Sequence, residues 1–206
     1  MCAVIGYGFG AFSPSYLISK IKHKDIRKSG TGNLGTTNTF IHFGKGWGCF
    51  VLLCDMVKAV VAVRLCIWMF PELAVAGVLA GCMVVIGHIF PFYVRFKGGK
   101  GIASFGGFIL AMDIRYFFIL LLVGCCLALI FNYGCSISFS AAILFPILYA
   151  VKVHSMTVFF LLAICSGIIM YKHIDNIKKI KDGKEMKIRT FLKNHIGGRS
   201  QKYGRG

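Results

Sequence analysis

Seven apolar stretches, at 2–21, 47–69, 71–94, 101–113, 114–133, 136–152 and 154–172, leave most of the charge to the segments outside them. Their apolar character is continuous rather than alternating, and most approach the ~20 residues a helix needs to cross a bilayer. The pattern predicts an all-α fold: a polytopic integral membrane helical bundle of about seven transmembrane helices. The fourth stretch is short for a span and opens directly after a glycine-rich loop. It is expected to be a tilted or partial helix whose N-terminal dipole adds to anion binding. Such a helix end must be covered by protein or line a cavity, because lipid cannot satisfy it.

Of 206 residues, 57% are hydrophobic and only 15% charged, which excludes an ordinary soluble domain. Residues 1–185 read as one membrane-embedded unit and 186–206 as a basic cytoplasmic tail. A net charge of +17 in a soluble protein would make nucleic acid a leading partner. Here the placement of the cations argues for membrane lipids and against nucleic acid, since 20 of the 24 Lys and Arg fall at 20–45, at 95–100 and from Lys172 onward. If those clusters share one face, the positive-inside rule makes it the cytoplasm. An odd number of spans then leaves the N-terminus outside and the C-terminus inside. External turns are expected around Pro71, Ile114 and Val153. The segment from Lys178 onward reads either as a stretch drawn to anionic headgroups or as a solvated topology signal. The nine cysteines sit mostly in apolar runs, without the spacing of a metal site, and no metal or cofactor is expected. Residues 1–21 lack a basic leader region and a small-residue cleavage site, so they read as a retained first helix.

Three polar segments carry the candidate chemistry. The first, Asp25 to Asn38, is crowded with Gly30, Thr31, Gly32, Asn33, Gly35 and Asn38. It reads as a loop, neither strand nor amphipathic helix, and its small donors suit a phosphate or a glycerol hydroxyl. The second runs from Gly87 to Gly101, where Lys97, Gly98, Gly99, Lys100 and Gly101 place donors and charge beside an apolar segment. His88, just ahead of Pro91, reads as a structural histidine. The third begins at His173 and Asn176, which share a face if the last helix continues. Asp55 and Lys58 lie three apart inside the second stretch, where charges are costly unless paired. A structural ion pair is the first reading and a catalytic carboxylate the second.

Taken in order, these segments resemble the three signature motifs of the acyl-phosphate:glycerol-3-phosphate acyltransferases, the PlsY family. The match covers Asp25 to Asn38, Gly87 to Gly101 and His173 to Glu185. Gly10 to Leu17 is similar to that family's first helix, and Asp55 with Lys58 to its second. The resemblance implies a bacterial plasma-membrane enzyme with a cytoplasm-facing site. It would pass an acyl group from acyl phosphate to the C1 hydroxyl of glycerol 3-phosphate, giving lysophosphatidic acid and phosphate. It also implies functional coupling to an enzyme that forms the acyl phosphate. Three departures stand out: Thr31 replaces a serine, Ile41 an arginine whose contact either falls to His42 or Lys45 or is absent, and Ile174-Asp175 an Arg-Glu pair.

An acyl phosphate is already a mixed anhydride, so no covalent enzyme intermediate is required, and no nucleophile motif is visible. Thr31, Lys100 and His173 are the candidate catalytic residues. Lys100, the N–H groups of Gly98 to Gly101, Thr31 and Asn33 are expected to hold phosphate and the oxyanion. Gly30, Gly32, Asn38, Lys45, Lys97, Ser138 and Asn176 complete the substrate-binding set, with Asp55, Lys58 and His88 in support. His173 is expected to keep its proton at a helix C-terminus, and either it or the substrate's own phosphate takes the hydroxyl proton. The acyl chain is expected between helices near Phe90, Phe92 and Phe105. A membrane anion transporter or channel is the alternative of a different class, and it would need paired interrupted helices in two related halves.

Overall fold

A computed structural model describes residues 1–195, and they are helical apart from short connections. The elements are α1 (Cys2–Ala11), α2 (Pro14–Ile21), α3 (Thr36–Phe43), α4 (Lys45–Met69), α5 (Ala76–Ile89), α6 (Ile102–Met112), α7 (Ile114–Phe131), α8 (Cys135–Val153), α9 (Met156–Lys172), α10 (Ile174–Lys181) and α11 (Ile188–His195). Each of the seven apolar stretches is helical. Among the described residues, three segments are long and apolar enough to cross a membrane: Ala76–Val94, Ile114–Phe131 and Cys135–Val153. A fourth is added if α9 and α10, bent by 42° at their junction, count as one span.

The first stretch is two helices, not one. Pro14 has no N–H to continue α1 and sits at the first position of α2, where Ser13 caps by accepting from the Tyr16 N–H at 3.3 Å. The break leaves carbonyls without helical partners, and long-range donors take them. Lys58 Nζ donates to Gly10 O at 3.0 Å and Phe12 O at 2.7 Å, and the Tyr93 hydroxyl donates to Ala11 O at 2.7 Å. Irregular backbone is tolerated here because protein supplies what lipid cannot.

α5 is the central element, packed by α1, α4, α6 and α9. Gly6 and Gly10, four apart on α1, lie so close to α5 that a Cβ at either would overlap the carbonyls of Ala80 or Val84. This is the small-residue packing that lets membrane helices approach closely. Phe105, Phe108 and Phe145 form an edge-to-face triangle in the core, with centroids 5.7–6.0 Å apart. Phe105 is therefore core and does not line an acyl channel, whereas Phe92 is exposed.

A second correction concerns the segment read as pure loop. Asp25 caps a short 3-10 turn over Ile26–Lys28, and α3 begins at Thr36, so Asn38 belongs to a helix. A third concerns the last helix. α9 stops at Lys172 and α10 sets off at an angle, so His173 stands at a junction and not on one continuous face with Asn176. The expected tail from 186 begins with α11, and its remainder, 196–206, lies outside the described residues.

Candidate active site

The three polar segments converge on one cavity of about 1120 Å³. Thr31, Gly32 and Asn33 form one wall, Arg95, Lys97, Gly98 and Lys100 a second, and Lys172 with α10 a third. Seven cations (Arg27, Arg95, Lys97, Lys100, Lys172, Lys178 and Lys179) face it against two carboxylates, Asp175 and Asp182. Such an excess favours anionic ligands. Arg27 is partly occupied, its Nε and Nη2 donating to Asp25 at 2.9 and 2.8 Å. That pairing holds the Asp25 carboxyl down at about 2.

Lys100 is the best-supported cation. Its Nζ donates to Asn176 Oδ1, and Asn176 Nδ2 donates to Glu185 Oε1 at 2.6 Å. Because Glu185 can only accept, it fixes which end of the Asn176 amide meets Lys100. Burial lowers the Lys100 pKa, with the Glu185 charge acting in the opposite direction. Glu185 ends the third motif, yet its role was not drawn from the sequence. The G-x-E spacing was the available signal.

His173 is buried, its ring edge-on to Phe139 at 5.6 Å. Its Nδ1 is 2.8 Å from Ile169 O. A carbonyl only accepts, so Nδ1 carries the hydrogen and Nε2 keeps its lone pair. Burial, reinforced by the Lys100 charge, pushes the imidazole down to about 4. The expectation of a retained proton is thus reversed: desolvation outweighs the helix end.

Several expected ligands have other work. The N–H of Gly98 donates to Ile89 O at 3.0 Å and that of Gly99 to His88 O at 3.2 Å, so neither is free for phosphate. A Cβ at Gly99 would overlap the His88 ring, and one at Gly98 the His88 carbonyl. These glycines fold the loop against the end of α5. Gly101, at φ +88°, makes the left-handed entry into α6. Gly30, at φ +63°, turns the first loop against Asn38. Lys45 is exposed at the start of α4, and Ser138 is buried in α8; neither forms part of the cavity wall. His42 accepts from or donates to Ser29 Oγ at 3.1 Å and also lies off the wall.

Asn38 is completely buried and its amide is fully engaged. Nδ2 donates to Ile26 O at 2.6 Å and Asn33 O at 2.9 Å, while Oδ1 accepts from the Thr31 N–H at 2.9 Å. It braces the loop that presents Thr31 and Asn33. Asn38→Ala is expected to cost about 2–3 kcal/mol of stability in thermal unfolding. Asn33→Ala should leave stability almost unchanged. Equal effects would remove the distinction between brace and wall.

The supporting cluster lies between α4 and α5, off the cavity wall. Asp55 Oδ1 is 2.7 Å from Lys58 Nζ and 3.3 Å from His88 Nδ1, and all three side chains are at most 5% exposed. Lys58 ties this cluster to the α1–α2 break, and His88 ties it to Gly99. The loop before Lys97 is also constrained. Arg95 and Phe96 both adopt left-handed conformations, at φ 57° and 59°, a cost of roughly 1–2 kcal/mol each. Strain of this kind is retained where the surroundings dictate it.

Fold and cavity together define an integral membrane helical protein built to hold an anionic substrate at one end of its bundle. Residues 1–183 match the glycerol-3-phosphate acyltransferase family, and the chain belongs to that family. It is 36% identical over 194 residues to the glycerol-3-phosphate acyltransferase of Streptococcus thermophilus (strain CNRZ 1066), covering 88% of this chain and 89% of that one. It is 34% identical over 183 residues to that of Anaplasma marginale (strain Florida), covering 88% and 91%. The crystal structure of PlsY, an integral membrane glycerol 3-phosphate acyltransferase, in its glycerol 3-phosphate form superposes with a TM-score of 0.83 at 27% identity, covering 90% of this chain and 93% of that one. Its lysophosphatidic acid form gives 0.80. The chain is accordingly a membrane-bound acyltransferase with bacterial relatives.

Proposed function

We propose that this acyltransferase moves a fatty acyl group from acyl phosphate to the C1 hydroxyl of sn-glycerol 3-phosphate, releasing lysophosphatidic acid and inorganic phosphate. The observation that carries this reading is the cavity in which all three motifs meet, with its excess of cations. Two phosphate-bearing substrates repel each other, and such a wall offsets that repulsion while aligning hydroxyl oxygen and acyl carbon. Alignment of this kind can remove roughly 7–11 kcal/mol of barrier. Lys100, held by Asn176, is the group for the leaving phosphate and the developing oxyanion, with Thr31 and Asn33 lining the same cavity. The hydroxyl oxygen bonds to the acyl carbon, the bond from that carbon to the phosphate oxygen breaks, and the phosphate leaves with the pair.

The hydroxyl proton goes to the substrate's own phosphate. His173 supports this assignment because an imidazole pushed down to about 4 is a weak base at neutral pH. Its folded pKa lies below its unfolded value, so it is neutral through the physiological range and takes up a proton only in acid. Between about pH 4 and 6.5 the unfolded chain binds more protons, and the His173 contribution to stability therefore falls as pH drops through that window. The rate is expected to show no His173-dependent limb between pH 6 and 8. An acid limb near pH 4 should be present and should vanish in His173→Gln. A limb near pH 6.5 that disappears in the variant would restore His173 as general base.

The same reading places seven spans in the bacterial inner membrane, N-terminus outside and C-terminus and cavity facing the cytoplasm. α4 supports its own place among the spans. Its two tryptophans, Trp47 and Trp68, are 21 positions apart and exposed, which at ~1.5 Å per residue sets them ~30 Å apart, one hydrocarbon thickness. Acyl phosphate must come from an acyl-phosphate-forming enzyme, to which this one is functionally coupled. The anion-transporter alternative gives way to family membership. Purified protein in lipid, given palmitoyl phosphate and glycerol 3-phosphate, should release phosphate and lysophosphatidate together. Equal turnover with palmitoyl-CoA would overturn the donor assignment.

A further inference from the structure

Residues 184–195, beyond the point where the family match ends, stay against the bundle. The backbone N–H groups of Ile188 and Arg189 donate to Asn132 O and Asn132 Oδ1, each at 3.0 Å. Tyr133 and Lys187 form an isolated antiparallel bridge. Asn132 directly follows Phe131, the last residue of a candidate span, so the segment is tied down at a span's end. One turn further on, the Phe191 ring lies 5.1 Å from that of Phe40 on α3. Phe40 in turn packs over Gly48, at the start of α4. α11 thus runs from the end of one membrane helix to the start of another, across the end of the bundle.

Its depth is marked by its neighbours. Trp47 precedes Gly48, pairs edge-on with Phe50 at 6.1 Å, and carries Lys22 Nζ 5.5 Å from its ring. Both aromatic rings are exposed. Exposed tryptophan with lysine at a helix end is the signature of the headgroup boundary. Ile188 and Phe191, three apart, are turned to the protein. Arg189 and Lys193, four apart on the other side, are exposed, as is Lys187, with Arg189 Nη2 also reaching Leu129 O at 3.5 Å. From Met186 to His195 the sequence contains no carboxylate.

We infer that α11 is an interfacial strap whose outward basic side binds the anionic headgroups of the surrounding bilayer. Ile188 and Phe191 are engaged with the protein, so charge is what the exposed side offers the membrane, and headgroup phosphates are the complementary charge at that depth. The strap begins three residues after Glu185, whose carboxylate orients Asn176, so lipid charge acts on the segment next to the site. This inference rests on the membrane placement proposed above.

The test is backbone hydrogen exchange of the full chain reconstituted in phosphatidylcholine alone and in phosphatidylcholine with added phosphatidylglycerol. Amides of α11 should exchange at least about tenfold more slowly in the anionic bilayer, and high salt should erase the difference. In the combined Lys187→Gln, Arg189→Gln and Lys193→Gln variant the two bilayers should give the same rates. Amides of α8 serve as the insertion control. If α8 is protected in both bilayers and α11 exchanges equally in both, the lipid assignment fails, and the basic side is left for an acidic protein. If α8 is unprotected as well, the membrane placement fails with it.

Discussion

Lys100→Met is expected to lower kcat about 10²–10³-fold, the loss found when one preorganised oxyanion donor is removed, with no fall in stability. The two readouts separate because of where the side chain sits. Lys100 is partly buried, and its ammonium is stabilised chiefly by Asn176 and the Glu185 charge. Methionine keeps the stem and drops a charge that burial disfavours, so the fold does not suffer. Lys100→Arg should rescue little, because a planar fork cannot replace a point charge held by one amide oxygen. Phosphate release and thermal unfolding on the same preparations check both halves. A rate within tenfold of the parent would remove Lys100 from the chemistry.

Asp55→Asn should be the most destabilising isosteric change in the bundle, by about 3–5 kcal/mol, because it leaves the Lys58 ammonium buried without its counter-charge. The combined Asp55→Asn, Lys58→Met variant should recover part of that loss. Full recovery is not expected, since Lys58 also serves the carbonyls of Gly10 and Phe12, and orphaned carbonyls cost about 1–3 kcal/mol. Unfolding in graded denaturant measures the pair. If Asp55→Asn instead abolishes turnover while stability is unchanged, the ion pair is not structural and the catalytic-carboxylate reading returns.

The helices were legible because their cause is local. A run of apolar residues must be helical in lipid, and each of the seven stretches is. The Ser13-Pro14 break was legible in principle too, as a cap followed by a residue without an N–H, but apolar continuity masked it. The three motifs announced a site, and the cavity gathers them. What the sequence did not show is which polar group faces the ligand and which faces the protein. Asn38 and Asn33 look alike in the loop, yet one is spent on Ile26, Asn33 and Thr31, and the other lines the cavity. Gly98 and Gly99 look like phosphate donors until the end of α5 is seen to take their N–H groups. His173 depends on burial, a property of the packed bundle and not of its neighbours in the chain.

The partners of Lys58 have a consequence for how the protein is made. Entering the membrane alone, α4 would carry Asp55 and Lys58 at an insertion cost of roughly 2.5–3.5 kcal/mol each. The carbonyls that receive Lys58 lie in residues 10 and 12, already synthesised when α4 emerges, while His88 arrives with the helix that follows. On the proposed topology, the broken first helix is in place as a receptor for α4 when that helix enters the bilayer. A chain lacking residues 1–14 should strand α4 at the translocon, a failure of biogenesis that would precede any question of catalysis.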